Sequence, residues 1–138
     1  FGPHPAGEGP RYYSVLNRFI DIAINDGTIT LFGDGSQVRD YLHIDDVCRA
    51  FICAAESDEA IGLVVNVGSG CPTSMSEAAR VIVDAVGHGR VEHVAWPADY
   101  AEVETGDSYF CIDRAQSVLG WNPMISFEEG IRLCVESV

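Results

Sequence analysis

At 138 residues the chain has the length of one domain, and its 47% hydrophobic and 21% charged residues are those of a globular protein. Its 21 acidic residues outweigh 8 Lys and Arg for a formal net charge of −13, and all eight are arginines. That balance argues against general nucleic-acid binding, which needs a basic surface; without lysine these residues hold no Schiff base, P-loop lysine or lysine-assisted tyrosine relay.

The first ten residues, with three prolines and three glycines, read as a loop. Ser14 is placed to cap a helix over VLNRFIDIAIN, where Leu16, Phe19, Ile20 and Ala23 share a face, and Gly27 is placed to end it. Leu31–Val47 is the densest segment. Thr28–Phe32 reads as a strand, Gly33–Ser36 as a turn, and Val38–Ile44 as a second strand, together a hairpin able to clamp a phosphate. Asp45 or Asp46 is expected to cap the next helix, whose stripe includes Val47, Ala50, Phe51 and Ala54. Leu63–Val67 predicts a strand buried on both faces. Ser74-Met-Ser-Glu77 is a capping box for a helix to Val86, followed by Gly87 and Gly89. A strand over Val91–Ala95, a short helix over Arg114–Leu119 stopped by Gly120, and a helix opened by the Ser126–Glu129 box complete the chain. The pattern is α/β or α+β.

No apolar run approaches the ~20 residues a membrane helix needs, and the N-terminus lacks the basic start and apolar centre of a signal peptide. Neither membrane nor nucleic acid is expected as a partner, and a cytoplasmic location is. The acidity reads as solubility in a salt-rich cytoplasm. Cysteines 48, 53, 71, 111 and 134 form no C-x-x-C, so reduced, mostly buried thiols are expected.

Arg39 is the strongest candidate for binding chemistry, because a guanidinium matches phosphate oxygens two at a time and stays charged at any physiological pH. On spacing alone it is equally a surface arginine paired with one of the many acids. Asp40, on the opposite face of the strand, is the less suitable partner. Phe32 ends the strand before the turn, where it could pack on a nucleobase or belong to the core. Gly68-Ser69-Gly70 suggests a dinucleotide loop, but Thr73 stands where the third glycine belongs and Pro72 interrupts the turn, so a structural turn is favoured. His43 reads as structural. Asp40, Asp45 and Asp46 could suggest a metal, but capping accounts for at least one of them, and no histidine has metal-ligand spacing.

The run F-G-D-G-S-Q-V-R-D-Y-L-H-I-D-D-V closely resembles the C-terminal half of NAD-dependent nucleotide-sugar epimerases and dehydratases, the extended short-chain dehydrogenase/reductase family. The likeness continues in order. It takes in Phe1-Gly2-Pro3, Tyr13-Ser14-Val15-Leu16, Arg18-Phe19-Ile20, Asn66-Val67-Gly68-Ser69-Gly70 with Thr73-Ser74, Gly106-Asp107, Leu119-Gly120-Trp121-x-Pro123 and Ser126-x-Glu128-Glu129-Gly130. The resemblance implies an α/β fold: residues 1–138 as the C-terminal substrate-binding portion of an extended Rossmann-type enzyme, with its last Rossmann helix and strand.

It further implies that Arg39 contacts the diphosphate of a nucleoside diphosphate sugar, that Phe32 lies near the base, Ser14 near the diphosphate, and Asp107 at the ribose or nucleotide. The implied parent activity is transient oxidation at the sugar C4 by NAD with a tyrosine acid/base, leading to epimerisation, or to a 4-keto-6-deoxy sugar in the dehydratases. The NAD fingerprint and Tyr-x-x-x-Lys pair belong to an N-terminal half not found in these residues, so no catalytic or NAD-binding residue is assigned here, and a homodimer stays open. The SVL…RFI segment looks more like the epimerase branch. A non-catalytic nucleotide-sugar-binding module and a fragment that folds poorly alone are the other readings. Many members carry a second phosphate-binding arginine three residues before the Gly-Asp aspartate, where this chain has Glu104; Arg114 and Arg11 are the candidates to compensate.

Overall fold

The computed structural model describes residues 1–3, 14–102 and 104–138; Arg11, Tyr13 and most of the expected N-terminal loop lie outside them. Helix α1 (Val15–Ile24) leads into strand β1 (Thr28–Phe32), then β2 (Val38–Asp40) and helix α2 (Ile44–Glu56). After a single 3₁₀ turn at Asp58–Ala60 come β3 (Pro72–Ser74), α3 (Met75–Val86), β4 (Arg90–Val94) and the helices α4 (Ala98–Ala101), α5 (Asp113–Leu119) and α6 (Phe127–Glu136). The fold is α/β, as expected.

The expected hairpin does not form. β1 pairs in parallel with β4, Thr28 opposite Arg90 through Phe32 opposite Val94, whereas β2 pairs antiparallel with β3, Val38 opposite Ser74 and Asp40 opposite Pro72. The glycine turn therefore carries the chain from one two-stranded sheet to another. Strand β2 also stops at Asp40 rather than Ile44, because the backbone of Leu42 and Ile44 bonds to residue 1: Leu42 O accepts from Phe1 N at 2.7 Å, and Ile44 N donates to Phe1 O at 2.7 Å.

The main core lies between α1, α3, α6 and β1. Leu16, Phe19, Ile20 and Ala23 meet Ile29 and Leu31 of β1, Ala78, Ala79 and Ile82 of α3, and Ile131 and Cys134 of α6. Burying each large aliphatic side chain is worth about 1.5–3 kcal/mol. A second cluster joins Ala50, Ala115 and Trp121, with Val65 and Val67 packed against it. Trp121 is fully buried, and its indole N–H donates to the Asp46 carbonyl at 3.1 Å.

Several boundaries shift for physical reasons. Ser14 precedes α1 in extended conformation but its hydroxyl caps nothing, and the helix closes at Asn25, with Asp26 rather than Gly27 at positive φ. The Ser74 and Ser126 boxes form as expected, each hydroxyl accepting from the N–H three residues on, at 3.1 and 3.2 Å. Gly87 ends α3 at φ 85°, a left-handed cap that favours glycine. Helix α2 is capped by His43, whose Nδ1 accepts from Asp45 N at 3.3 Å, and not by either aspartate. Leu63–Val67 is not a strand: Leu63 and Val64 are exposed, and no strand among the described residues pairs with it. Of the cysteines, Cys134 alone is buried, Cys53 is half-buried, and Cys48, Cys71 and Cys111 are exposed, contrary to the expectation of mostly buried thiols.

Candidate functional site

Where the two sheets meet, a groove of about 490 Å³ opens, lined among others by Val15, Phe32, Arg39, Tyr41, Trp96 and Glu104. Each element delivers its residue by its own periodicity. β1 alternates, turning Ile29 and Leu31 into the core, and so presents Phe32, its half-buried last residue, to Trp96 at a centroid distance of 5.4 Å. Trp96 lies beyond β4, and the parallel register that sets Phe32 opposite Val94 brings the two rings together. Ser14 stands at the start of α1, next to the groove residue Val15.

Arg39 is the cation among the described groove residues. Its Nη1 donates to Gly106 O at 2.7 Å and to Val38 O at 2.9 Å, and its Nη2 donates to Glu104 Oε1 at 2.7 Å. A guanidinium has five N–H donors, so Nε–H and the second Nη2–H have no acceptor among the described residues. The same Glu104 oxygen accepts from Gly106 N at 2.9 Å, tying off the turn. One residue on, exposed Asp107 accepts from Val38 N at 2.9 Å, and Ser108 N donates to Val38 O at 3.1 Å, fastening the 104–108 loop to the edge of β2. Below the guanidinium, the Tyr41 hydroxyl reaches Met75 Sδ at 2.9 Å; burial raises its pKa, and the nearby Arg39 charge partly offsets this.

Asp40 also lines the groove, but its role is structural. Its carboxylate accepts from Ser69 N at 2.6 Å and Phe110 N at 3.2 Å, and a Cβ built on Gly68 would meet its Oδ2 at 2.5 Å. The Gly68–Gly70 turn is thus closed around a carboxylate, in agreement with the structural reading. His43 is buried, edge-on to Phe1 at 5.5 Å, and does not line the groove. Arg114 is elsewhere too: it donates to Val64 O at 2.7 Å beside a separate hollow of about 660 Å³, and so it does not replace the second arginine.

Of the sequence-predicted site residues, Phe32 and Arg39 line the groove, Asp107 fastens the loop that carries Glu104, and Ser14 flanks it. Trp96 and the Arg39–Glu104 pair were not anticipated. An acid partner for Arg39 was one of two open readings, but which acid depends on a contact 65 residues away in sequence.

The profile of the NAD-dependent epimerase/dehydratase family matches residues 1–68. The chain is 36% identical to the low-salt glycan biosynthesis protein Agl12 of Haloferax volcanii, over 93% of this chain and 41% of that protein. It is 35% identical to the UDP-glucose 4-epimerase of Mycolicibacterium smegmatis (99% and 42%), and 32% to the dTDP-glucose 4,6-dehydratase of Streptomyces griseus (92% and 38%). The crystal structure of UDP-glucose 4-epimerase from Thermotoga maritima with UDP-glucose superposes with a TM-score of 0.82 at 29% identity, covering 99% of this chain and 42% of that one. The chain spans about 40% of the length of the curated relatives it matches. With the ordered motifs, the fold and these matches in agreement, the chain belongs to the NAD-dependent epimerase/dehydratase family.

Proposed function

We propose that residues 1–138 are the nucleotide-sugar-binding portion of an NAD-dependent nucleotide-sugar epimerase acting at C4. The observation that carries this reading is the groove, where a guanidinium, two aromatic rings and the start of a helix converge in a chain of this family. In it Arg39 holds the diphosphate, Phe32 with Trp96 packs beside the base, and Ser14 flanks the diphosphate at the positive end of α1. One oxygen of Asp107 is committed to Val38 N–H, and the other accepts from a ribose hydroxyl.

NAD would supply the hydride acceptor for such a reaction. The described residues do not fit it: the glycine turn at 68–70 is filled by the Asp40 carboxylate, which leaves no opening for a dinucleotide pyrophosphate and repels one. In this reading the cofactor and the catalytic tyrosine belong to a region outside these residues. The contribution of residues 1–138 is affinity and orientation, since a firmly held nucleotide fixes the sugar for chemistry at a distance. Exposed Phe51, Ile52, Leu63 and Val64 support such a neighbouring region, because they leave four large apolar side chains uncovered. No helix of the described residues is long and apolar enough to cross a membrane, and a cytoplasmic location belongs to the same proposal.

A second reading, a 4,6-dehydratase, is favoured by the Streptomyces relative and differs in the fate of the oxidised sugar rather than in the grip on the nucleotide. Calorimetric titration of the natural-length protein with UDP, dTDP, GDP and CDP tests the shared part. Arg39→Ala is expected to weaken binding of the preferred diphosphate by roughly 1.5–3 kcal/mol, the range for a hydrogen bond to a charged group. Unchanged affinity would remove Arg39 from the site.

A further inference from the structure

The acid beside Arg39 occupies an anion's place. Glu104 Oε1 lies 2.7 Å from Nη2, and the two side chains are 24% and 29% exposed. We propose that Glu104 is a built-in competitor for Arg39, a carboxylate that an incoming diphosphate must displace, and that it thereby sets the affinity and selectivity of the groove for doubly charged phosphate groups. This rests on the nucleotide reading of the groove.

Three observations separate Glu104 from an ordinary surface ion pair. Its carboxylate takes one of the two Nη2 donors, which puts a negative charge beside the Nε–H and the second Nη2–H that are left for a phosphate. The other nearby acid, Asp40, is held by two backbone N–H groups and cannot take over as partner without breaking the Gly68–Gly70 turn. The loop is also fastened independently of Glu104, through Asp107 to Val38 N and Ser108 N to Val38 O, so the carboxylate can swing away while the loop stays docked. Its release costs one partly exposed ion pair and the bond to Gly106 N. If the carboxylate stayed in place, a diphosphate at Arg39 would face a like charge within contact distance. Exchange of one anion for the other therefore accounts for both the present contact and access to the site.

The test is a double-mutant cycle in the natural-length protein. Glu104→Gln keeps the size of the side chain and an acceptor for Gly106 N, but removes the charge; Glu104→Ser is a second variant should the first lose its fold by thermal melt. With UDP, dTDP, GDP and CDP as probes, either variant is expected to bind the preferred diphosphate about three- to thirtyfold more tightly than wild type. Binding of the corresponding uncharged nucleoside, read by competition, is expected to stay the same. In the Arg39→Ala background the gain is expected to vanish. A diphosphate that binds wild type, weakens with Arg39→Ala and shows no gain with Glu104→Gln would overturn the competitor role and leave the nucleotide reading intact. A gain that persists without Arg39, or appears equally for the nucleoside, would also overturn it. If none of the four diphosphates binds any variant, the nucleotide reading falls and the competitor falls with it.

Discussion

Two consecutive acids in the first turn of α2 show how burial sorts roles at the level of single residues. Asp45 is exposed, whereas Asp46 is fully buried and accepts from Met124 N at 3.1 Å, Ile125 N at 3.0 Å and the Arg49 guanidinium. Burial alone would raise its pKa, but the bonds from Arg49, Ile125 and Met124 outweigh it and hold the carboxyl below its ordinary value. A lowered folded-state pKa gives stability that is full above the unfolded value and is lost as pH falls through the folded one. Asp46→Asn puts an amide N–H₂ against donors that need an acceptor, so it should cost about 2–4 kcal/mol at pH 7. The gap to wild type should narrow below about pH 4, as the wild-type carboxyl itself protonates. Urea unfolding at pH 7 and pH 3 measures both; equal stability at pH 7 would show that Asp46 does not bind the 121–125 segment to α2.

At the level of elements, legibility follows the range of the forces. The helices over 15–24, 75–86, 113–119 and 127–136 were readable because their signals are local: apolar spacing, serine caps answered three residues later, and glycines at their ends. Strand partners were not readable. Thr28–Phe32 and Val38–Asp40 look like two arms of a hairpin because a glycine turn separates them, yet each pairs with a strand at least 32 positions further on. The reason is that alternation specifies which face is buried and leaves the choice of edge to tertiary packing. Leu63–Val67 failed in the other direction: its apolar run signals a doubly covered strand, which needs a neighbouring strand that the described residues do not supply. In the groove, Arg39 and Phe32 stood out by residue type and position. Trp96 and the choice of Glu104 as partner depend on register and loop docking, which local sequence does not encode.

For the whole molecule, charge is the governing quantity. A net charge of −13 carried without lysine means that surface self-repulsion opposes the compact state and that salt relieves it. Raising KCl from about 0.1 to 2 M should therefore raise the thermal midpoint by roughly 5 °C or more, and a flat or falling midpoint would show that the acids are already balanced locally. The same acidity makes Arg39 conspicuous, because it is the guanidinium aimed into the groove of an otherwise repulsive protein. The most direct measurement is a crystal structure of the natural-length protein with its preferred nucleoside diphosphate. The expected result is a phosphate oxygen within hydrogen-bond distance of the Arg39 guanidinium, the base against Phe32, and the Glu104 carboxylate moved off Nη2. A nucleotide bound elsewhere, with the Arg39–Glu104 pair intact, would contradict the account.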